Sequence, residues 1–306
     1  MIDIVSDEYE FEPERERSPR PRRKMDLSDL VEQGDTDQDL KMSYEPSRFE
    51  HGWLHASLHP FYHQNLITDV LASVKGGKEA NVYRCAAHPN VGVSLLAAKV
   101  YRPRQFRNLR NDAMYREGRA ILKEDGSAAK RTDHRLMRAI GKKTEFGVQA
   151  QHTSWLMHEY TTLERLYAAG AAVPRPIAAA DNAILMGYAG DRTTSAPTLI
   201  ETDLDQDEAC GLLAEALRNV ELMLQYNVIH GDLSAYNVLY WEGRITIIDF
   251  PQVTDCRTNG NARFILTRDI FRICEYFIRQ GASCDPEAIA GRLWDRYGPE
   301  QEITEA

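Results

Sequence analysis

Three polar side chains in the second half of the sequence have the types and the spacing that phosphoryl transfer requires. Asp232 and Asn237 lie five positions apart in a loop that follows His230, and Asp249 comes after two further apolar runs. An aspartate can accept the proton of an attacking hydroxyl, whereas an asparagine and a second aspartate can hold Mg²⁺ against phosphate oxygens. Asp232 is therefore the candidate acid/base residue, and Asn237 and Asp249 are the candidate metal ligands. A plain turn followed by a strand end is the alternative, and it does not explain the order of these residues.

A β-hairpin is predicted to hold these residues at one end of a small sheet. The runs Val238–Tyr240 and Ile245–Ile248 are rich in β-branched and aromatic residues, and Glu242-Gly243 supplies the turn between them. A long helix is predicted over Gln206–Tyr226, because its leucines recur on one face. This helix would deliver the chain to the loop that carries Asp232.

The first half of the chain offers further candidates on two predicted hairpins. The glycine-rich stretch Val74–Tyr83 could bring backbone N–H groups close to phosphates, with Gly77 in the turn and Val82 on the strand that follows. Only one glycine of the nucleotide-binding pattern is kept, so an ordinary hairpin turn is the alternative. The strand predicted over Leu95–Tyr101 carries Lys99 among apolar neighbours, where a cation needs an anionic partner.

A helix predicted over His152–Ala168 provides a partner for that lysine. Its apolar residues recur every three or four positions, and Glu159 lies on the same stretch. Glu159 is therefore expected to pair with Lys99, although a surface glutamate is the alternative. The apolar run Ala183–Gly190 is expected to be the hinge strand between two lobes, with Met186 at the back wall of an adenine pocket and Tyr188 beside it.

Composition and charge limit the class of protein. The chain has 306 residues, of which 43% are hydrophobic, and this is enough for a large core in a bilobal domain. A net charge of −9 argues against nonspecific nucleic-acid binding through the whole surface. No apolar run approaches the ~20 residues of a membrane span, and no signal-peptide pattern is visible. The five cysteines are scattered, so we expect reduced thiols and a cytoplasmic location.

Changes in composition divide the chain into a tail and two lobes. Residues 1–48 are rich in charged residues, serine and proline, and they are predicted to be disordered. The N-lobe is predicted over 49–190, including a basic, flexible insertion over 102–151, and the C-lobe over 191–306. The insertion could hold a phosphorylated or nucleic-acid partner, or it could simply be solvated. The accessible candidates for autophosphorylation in the tail are Ser6, Ser18 and Ser28.

Taken together, the motifs resemble the RIO family of atypical serine/threonine kinases. The matching segments, in the order typical of that family, are Gly77-Lys-Glu-Ala-Asn-Val-Tyr83, Ala98-Lys-Val-Tyr101, His230-Gly-Asp-Leu-Ser-Ala-Tyr-Asn237 and Ile248-Asp-Phe-Pro-Gln252. Arg268-Asp269 before an aromatic helix, the basic insertion and the missing activation segment also fit. The N-terminal part departs from better-known members, which carry a winged-helix domain or a distinct helix where this chain has only Trp53–Leu71.

The resemblance implies an α+β, bilobal protein-kinase-like fold, with a small antiparallel N-lobe sheet and helix and a trimmed, mainly helical C-lobe. It implies transfer of the γ-phosphate of ATP to serine or threonine hydroxyls, autophosphorylation included, with Mg²⁺ or alternatively Mn²⁺ as the metal. Asp232 and Lys99 would be the catalytic residues, and Asn237 and Asp249 the metal ligands. The residues expected to bind the nucleotide are Ser73, Gly77, Lys78, Val82, Lys99, Glu159, Met186 and Tyr188.

Three other functions compete with this interpretation. The first is an ATPase switch in ribosome or ribonucleoprotein assembly, with a ribosomal or RNA-containing partner on the basic segments. The second is a small-molecule kinase of the aminoglycoside or choline type, which also uses a His-Gly-Asp loop. The Gly-Lys-Glu and Ile-Asp-Phe-Pro-Gln sequences favour the RIO type over the second. The third is an inactive nucleotide-binding scaffold, and the joint presence of Lys99, Asp232, Asn237 and Asp249 argues against it.

Overall fold

The computed structural model describes residues 40–77, 79–102, 113–130 and 132–299. Most of the predicted N-terminal tail, Lys78 of the glycine-rich turn and the first part of the basic insertion therefore lie outside the described residues. Within the described part of the chain, no helix is both long and apolar enough to cross a membrane.

Six strands form one sheet in the first part of the molecule. In chain order they are β1 (Lys41–Met42), β2 (Ile67–Gly76), β3 (Ala80–Ala87), β4 (Leu95–Tyr101), β5 (Pro176–Ala180) and β6 (Ala183–Gly187). The spatial order is β1-β2-β3-β4-β6-β5, and every pairing is antiparallel except the parallel pair β1-β2. The predicted strand that carries Lys99 is confirmed at both of its ends. The predicted hinge strand is three residues shorter than expected and ends at Gly187.

One face of this sheet is covered by helix α1 (Arg48–His63). Leu54, Leu58 and Phe61 of α1 are fully buried, and they pack in one cluster with Tyr83 and Leu96 of the sheet. The apolar stretch around Trp53–Leu71 therefore packs onto the first sheet. It does so as one helix followed by the start of β2, because Asn65, with a φ of 54°, ends the helix and turns the chain.

The described part of the insertion contains short helices that lead into a long one. They are α2 (Ala113–Arg116) and α3 (His134–Gly141), followed by α4 (Glu145–Ala168). The prediction that α4 starts at His152 is wrong by seven residues. Thr144 caps the true start, since its side chain accepts a hydrogen bond from the N–H of Gly147 at 3.2 Å. The first turns of α4 pack against α3 instead of the main core, so they lack a long apolar pattern.

The second half of the chain is mainly helical. Its elements are α5 (Gln206–Gln225), β7 (Val228–Ile229), β8 (Val238–Trp241), β9 (Arg244–Ile247), β10 (Thr254–Asp255), α6 (Ala262–Arg279) and α7 (Pro286–Tyr297). Strands β8 and β9 form the predicted hairpin, and its turn is at Glu242 and Gly243. A separate antiparallel pair, β7 with β10, brackets the loop and the hairpin that carry the candidate site.

The second face of the six-stranded sheet meets the helical half. Cross-strand partners in a sheet share a face, and the pairs Val82 with Lys99, Lys99 with Ile184, and Ala97 with Met186 therefore lie on one side. Ala97, Ile184 and Met186 belong to the same buried cluster as α4, α5 and α6. The α+β, kinase-like fold class is thereby confirmed, and the lobe boundaries stay a prediction.

Candidate active site

Lys99 of β4 is the centre of a charged cluster between the two halves of the molecule. Its Nζ lies 2.6 Å from Oε1 of Glu159 on α4 and 2.6 Å from Oδ1 of Asp249, which follows β9. The hydroxyl of Tyr101 donates to the other oxygen of Glu159. The pairing of Lys99 with Glu159 that the sequence predicted is therefore present, and Asp249, which follows β9, is the second anionic partner of Lys99.

The charges in this cluster stabilise one another. Burial alone would lower the pKa of Lys99, but the carboxylates of Asp249 and Glu159 outweigh it and raise that pKa above its ordinary value. Burial alone would raise the pKa of Asp249, but Lys99, with a smaller effect from Lys75, lowers it. Lys99 is therefore a fixed cation and Asp249 a fixed anion near neutral pH.

Asp232 lies on the loop between β7 and β8, and both of its carboxylate oxygens are held. Nδ2 of Asn237 donates to Oδ2 of Asp232 at 3.2 Å and to its backbone carbonyl at 2.9 Å. Nη1 of Arg272, on α6, contacts Oδ1 of Asp232 at 2.8 Å. The Asp232 side chain remains 37% exposed. The five-residue spacing of Asp232 and Asn237 thus brings them into direct contact.

The backbone before Asp232 is fixed by His230 and Gly231. His230 is buried, with Nε2 3.1 Å from the carbonyl of Ile248 and Nδ1 accepting the N–H of Asp232 at 3.2 Å. Gly231 has a φ of 86°, and a Cβ there would lie 2.2 Å from the carbonyl oxygen of Gln252. Only glycine fits this position, and the loop is therefore locked against the segment that carries Asp249.

An ion pair between Arg268 and the buried Asp269 holds the backbone of this loop in place. Asp269 of α6 is 2% exposed and accepts the N–H of Gly231 at 2.7 Å, while its neighbour Arg268 contacts both Asp269 and the Gly231 carbonyl. Burial raises the pKa of Asp269 above its ordinary value, and Arg268 and the backbone N–H of Gly231 offset only part of that effect. Arg268 also donates to the hydroxyl of Tyr115 at 2.6 Å, which ties the insertion to the same loop.

Asp249 occupies an unusual backbone conformation at the end of the hairpin. Its φ is 72°, in the left-handed region that non-glycine residues seldom adopt. Such conformations cost on the order of 1–3 kcal/mol and tend to occur at functional sites. The N–H of Ile248 donates to the carbonyl of Asn237 at 2.9 Å, so Asp249 is held next to Asn237.

The oxygen-rich set around Asn237 and Asp249 fits a hard cation. Asn237 uses Nδ2 for both bonds to Asp232, so its Oδ1 is the atom that could coordinate a metal. The Asp249 carboxylate binds Lys99 through Oδ1, which leaves Oδ2 as its second donor atom. Amide and carboxylate oxygens are the ligands that Mg²⁺ accepts, usually together with phosphates and water.

The other predicted nucleotide contacts fall into two groups. Val82 lies on the same face as Lys99, and the nearby Gly77 turns so tightly that a Cβ would be 2.7 Å from the carbonyl oxygen of Ala80. Met186 is buried beside Ala97 on this face. Ser73 instead pairs with Tyr83 on the α1 side, because irregularities in β2 shift its register. Any phosphate contact of Ser73 would have to use its main chain.

Tyr188, just after β6, has a buried hydroxyl with no hydrogen-bond partner in the described part of the chain. A buried hydroxyl without a partner costs about 1–3 kcal/mol, so a ligand that supplied a partner would relieve that cost. This observation fits the expectation that Tyr188 lies by the nucleotide. The roles assigned to Tyr188, Lys78 and the other predicted site residues stay predictions.

Sequence reasoning missed three residues that the fold brings to the site. Arg272 contacts Asp232 from forty positions away, and no local pattern signals it. Lys75 shares a face with Val82, and its charge lowers the pKa of Asp249. It lies in the glycine-rich stretch that the sequence analysis singled out, but it was not predicted to be a site residue. Arg119 of the insertion binds the carbonyls of Pro251 and Val253, at 2.9 and 3.0 Å, just after Asp249.

A small sheet, a mainly helical half, and a lysine, two aspartates and an asparagine between them define a kinase-like phosphotransferase architecture. The RIO domain model matches residues 114–289 of this chain. The chain therefore belongs to the RIO family.

Curated relatives of the chain are named as serine/threonine kinases. It is 30% identical over 229 residues to the serine/threonine-protein kinase RIO1 of Chaetomium thermophilum, with 71% of this chain and 41% of that protein covered. It is 30% identical over 219 residues to the RIO-type serine/threonine-protein kinase Rio1 of Haloferax volcanii, with 71% of this chain and 66% of that protein covered. It is 28% identical over 220 residues to the serine/threonine-protein kinase rio1 of Schizosaccharomyces pombe, with 71% of this chain and 40% of that protein covered. The matched region thus spans between two fifths and two thirds of each of these relatives.

Proposed function

We propose that this chain is an ATP- and Mg²⁺-dependent serine/threonine protein kinase of the RIO type, and that it also phosphorylates itself. The observation that carries the proposal is the joint placement of Lys99, Asp249 and Glu159 in one ion cluster, next to a loop in which Asp232 and Asn237 touch. The names of the relatives support the same reaction class.

Each residue of the cluster has a defined part in this reaction. Lys99, held by Glu159 and Asp249, presents a permanent positive charge to the phosphates of ATP. Asp232 orients a substrate hydroxyl and accepts its proton. Asn237 and Asp249 would hold Mg²⁺, which supplies neutralising charge on the phosphates when it is bound. The protein therefore contributes position and charge stabilisation that are largely fixed before the substrate arrives.

The fate of γ-labelled phosphate from Mg-ATP tests the proposal. The full chain should transfer label to its own serine or threonine residues or to an added protein. Asp232→Asn and Asp249→Asn should each lower that transfer by about two orders of magnitude or more. Asp207→Asn, an exposed aspartate in the first turn of α5, is the matched control and should leave transfer unchanged.

The remaining outcomes separate the competing functions. Free phosphate without labelled protein, lost in the same two variants, would support an ATPase switch instead. Neither product, despite measurable ATP binding, would contradict the protein-kinase proposal. Replacing Mg²⁺ with Mn²⁺ in the same assay tests the alternative ion, and we expect activity with both because the donors are hard oxygens.

We also propose an RNA-containing partner of ribosomal type for the basic part of the insertion. The support is a group of exposed basic side chains on and just after α3, namely Arg135, Arg138, Lys142 and Lys143. The double variant Arg135→Glu/Arg138→Glu should weaken binding to ribosomal RNA and reduce its salt dependence, since fewer counterions are released. Equal binding by the variant at all salt concentrations would contradict this surface.

A cytoplasmic location is the last part of the proposal. All five cysteines are free, and Cys85, Cys256 and Cys274 are buried thiols. Free thiols are typical of a reducing compartment. Fractionation of cells that express the full chain would check the proposal, and recovery in an oxidising compartment would contradict it.

A further inference from the structure

Four histidines follow one another along α1 at intervals of four residues. They are His51, His55, His59 and His63. An interval of four turns the helix by about 40° more than a full turn, so consecutive histidines are neighbours on one side. None of them takes part in the proposed kinase reaction.

The helix under these histidines is firmly anchored. Leu54, Leu58 and Phe61 of α1 have no exposed surface and pack into the cluster that covers the first sheet. On the histidine side, His59 is half-buried and His63 is exposed. The imidazoles are therefore presented to solvent from a backbone that packing holds in place, which lowers the entropy cost of binding a ligand.

The rings come closer together toward the end of the helix. The ring centroids of His55 and His59 are 5.2 Å apart, and those of His59 and His63 are 4.1 Å apart. Nε2 of His59 lies 3.0 Å from Nε2 of His63. In neutral imidazoles one of these nitrogens can donate to the other, but the pair can also direct two lone pairs at a shared ligand.

The distance of 3.0 Å between the two Nε2 atoms matches the distance between two nitrogen ligands of one metal ion. Histidine nitrogens bind Zn²⁺ at about 2.0–2.1 Å, so two adjacent ligands at 90–109° are roughly 2.9–3.3 Å apart. We propose that His59 and His63 chelate a divalent transition-metal ion of the Zn²⁺, Ni²⁺ or Cu²⁺ class. Imidazole suits these ions, whereas Mg²⁺ prefers oxygen, and the site is therefore distinct from that of Asn237 and Asp249.

Water completes the coordination of the ion. Within the described ranges, no group of three or more histidine, cysteine, aspartate or glutamate side chains converges on one point. Two protein ligands make the ion exchangeable rather than permanent. Because both imidazoles must be neutral to coordinate it, acid should release it.

Nickel titration of the full chain tests the site without an activity assay. Ni²⁺ is added to the protein in the absence of Mg²⁺ and ATP, and its affinity is measured by competition with a coloured chelator at pH 7.5 and pH 5.5. His59→Gln and His63→Gln should each weaken Ni²⁺ binding by about tenfold or more, the scale on which even outer-shell changes act. Acid should weaken the wild type in the same way. His134→Gln, an exposed histidine on α3, is the matched control and should bind as the wild type does.

A thermal-unfolding series gives an independent readout. Ni²⁺ should raise the Tm of the wild type and of Asp249→Asn, but not that of the double variant His59→Gln/His63→Gln. In EDTA the double variant should have the wild-type Tm, which shows that it folds. The proposal is overturned if the wild type does not bind Ni²⁺, if the double variant keeps wild-type affinity, or if Asp249→Asn alone abolishes the response.

Discussion

At the scale of single residues, we expect the contacts of Lys99 to support both the stability of the chain and the proposed phosphate transfer. Its side chain is 11% exposed and that of Glu159 only 2%, so neither charge can rely on water. Removing one member of a buried ion pair costs about 3–5 kcal/mol, because the partner is left uncompensated. Lys99→Met should therefore lower the free energy of unfolding by about 3 kcal/mol or more, in addition to abolishing phosphate transfer.

A double-mutant cycle checks this prediction by urea unfolding. Glu159→Gln keeps a group that Tyr101 can bond and removes the charge, so the double variant Lys99→Met/Glu159→Gln contains no uncompensated Glu159 carboxylate. We expect the double variant to lose at least about 1 kcal/mol less than the sum of the two single losses. Strictly additive losses would show that the contact contributes nothing.

Arg272 is predicted to be a positioning residue for the proposed catalytic aspartate. It holds Oδ1 of Asp232 at 2.8 Å while Asn237 holds the other oxygen. The Arg272 and Asp232 side chains are 43% and 37% exposed, and ion pairs of that exposure contribute about 0.2–1 kcal/mol. Arg272→Ala should thus lower kcat by about twofold to fivefold, with the KM for ATP unchanged.

The control for Arg272 is Arg279, seven residues later on α6, which pairs only with exposed Glu275 among the described residues. Arg279→Ala should leave kcat at the wild-type value, and Arg272→Lys should restore part of the loss, since a lysine can still donate to Asp232. An equal effect of both alanine substitutions would assign the loss to α6 as a whole.

Asp249 and Asp269 should make opposite contributions to the pH dependence of stability. The pKa of Asp249 is lowered in the folded state, so its contribution is present above the unfolded pKa and is lost as the pH falls through the folded pKa. The pKa of Asp269 is raised, so its contribution is fullest below the unfolded pKa and declines as the pH rises through the folded pKa.

Urea unfolding of wild type, Asp249→Asn and Asp269→Asn between pH 3 and pH 7 measures both contributions. Relative to Asp249→Asn, the wild type should gain stability as the pH rises toward about 4, the ordinary carboxylate pKa. Relative to Asp269→Asn, it should lose stability as the pH rises above that value. The same sign for both variants would contradict the assigned shifts.

At the scale of elements, the β7–β8 loop owes its shape to a glycine that no other residue can replace. Gly231 and Gly243 both have positive φ, 86° and 77°, but an added Cβ would meet the Gln252 carbonyl oxygen only at Gly231. Gly243→Ala should cost about 1 kcal/mol for the left-handed backbone alone. Gly231→Ala should cost clearly more, and the difference in urea unfolding isolates the steric contribution. Equal losses would show that the loop can move away from Gln252.

Elements with strong local patterns were predictable from the sequence, and those stabilised by tertiary packing were not. The strand Leu95–Tyr101 and the β8–β9 hairpin were found because a short apolar run and a two-residue turn mark them. The start of α4 was missed because its first turns pack on α3, where Gly147 approaches the carbonyl of Ala139. The capping residue Thr144 was the one local signal that could have located it.

At the scale of the whole molecule, the candidate site exists only because separate segments converge. The motif residues Asp232, Asn237 and Asp249 could be singled out from the sequence, since their loop and hairpin are continuous, and their roles stay predictions. Arg272 and Arg119 could not be, because each reaches the site across more than thirty residues. The charged cluster around Lys99 likewise joins β4, α4 and the end of the hairpin, so it connects the sheet to the helical half.

This connection predicts how ligands should affect the stability of the whole chain. A ligand that binds only the folded state at a hundred times its Kd stabilises it by about 2.7 kcal/mol, and for a chain of this size that corresponds to a rise in Tm of roughly 4–5 °C. Mg-ATP should give a rise of that order. ATP with EDTA should give a smaller rise, because the proposed phosphate contacts of Lys99 and the glycine-rich turn do not depend on the metal. In Asp249→Asn the increment from Mg²⁺ should vanish while part of the ATP effect remains. If Asp249→Asn keeps the full increment in Tm from Mg²⁺, the metal is held by residues other than Asp249. The proposal that Asp249 holds the metal while Lys99 binds the phosphates is then wrong.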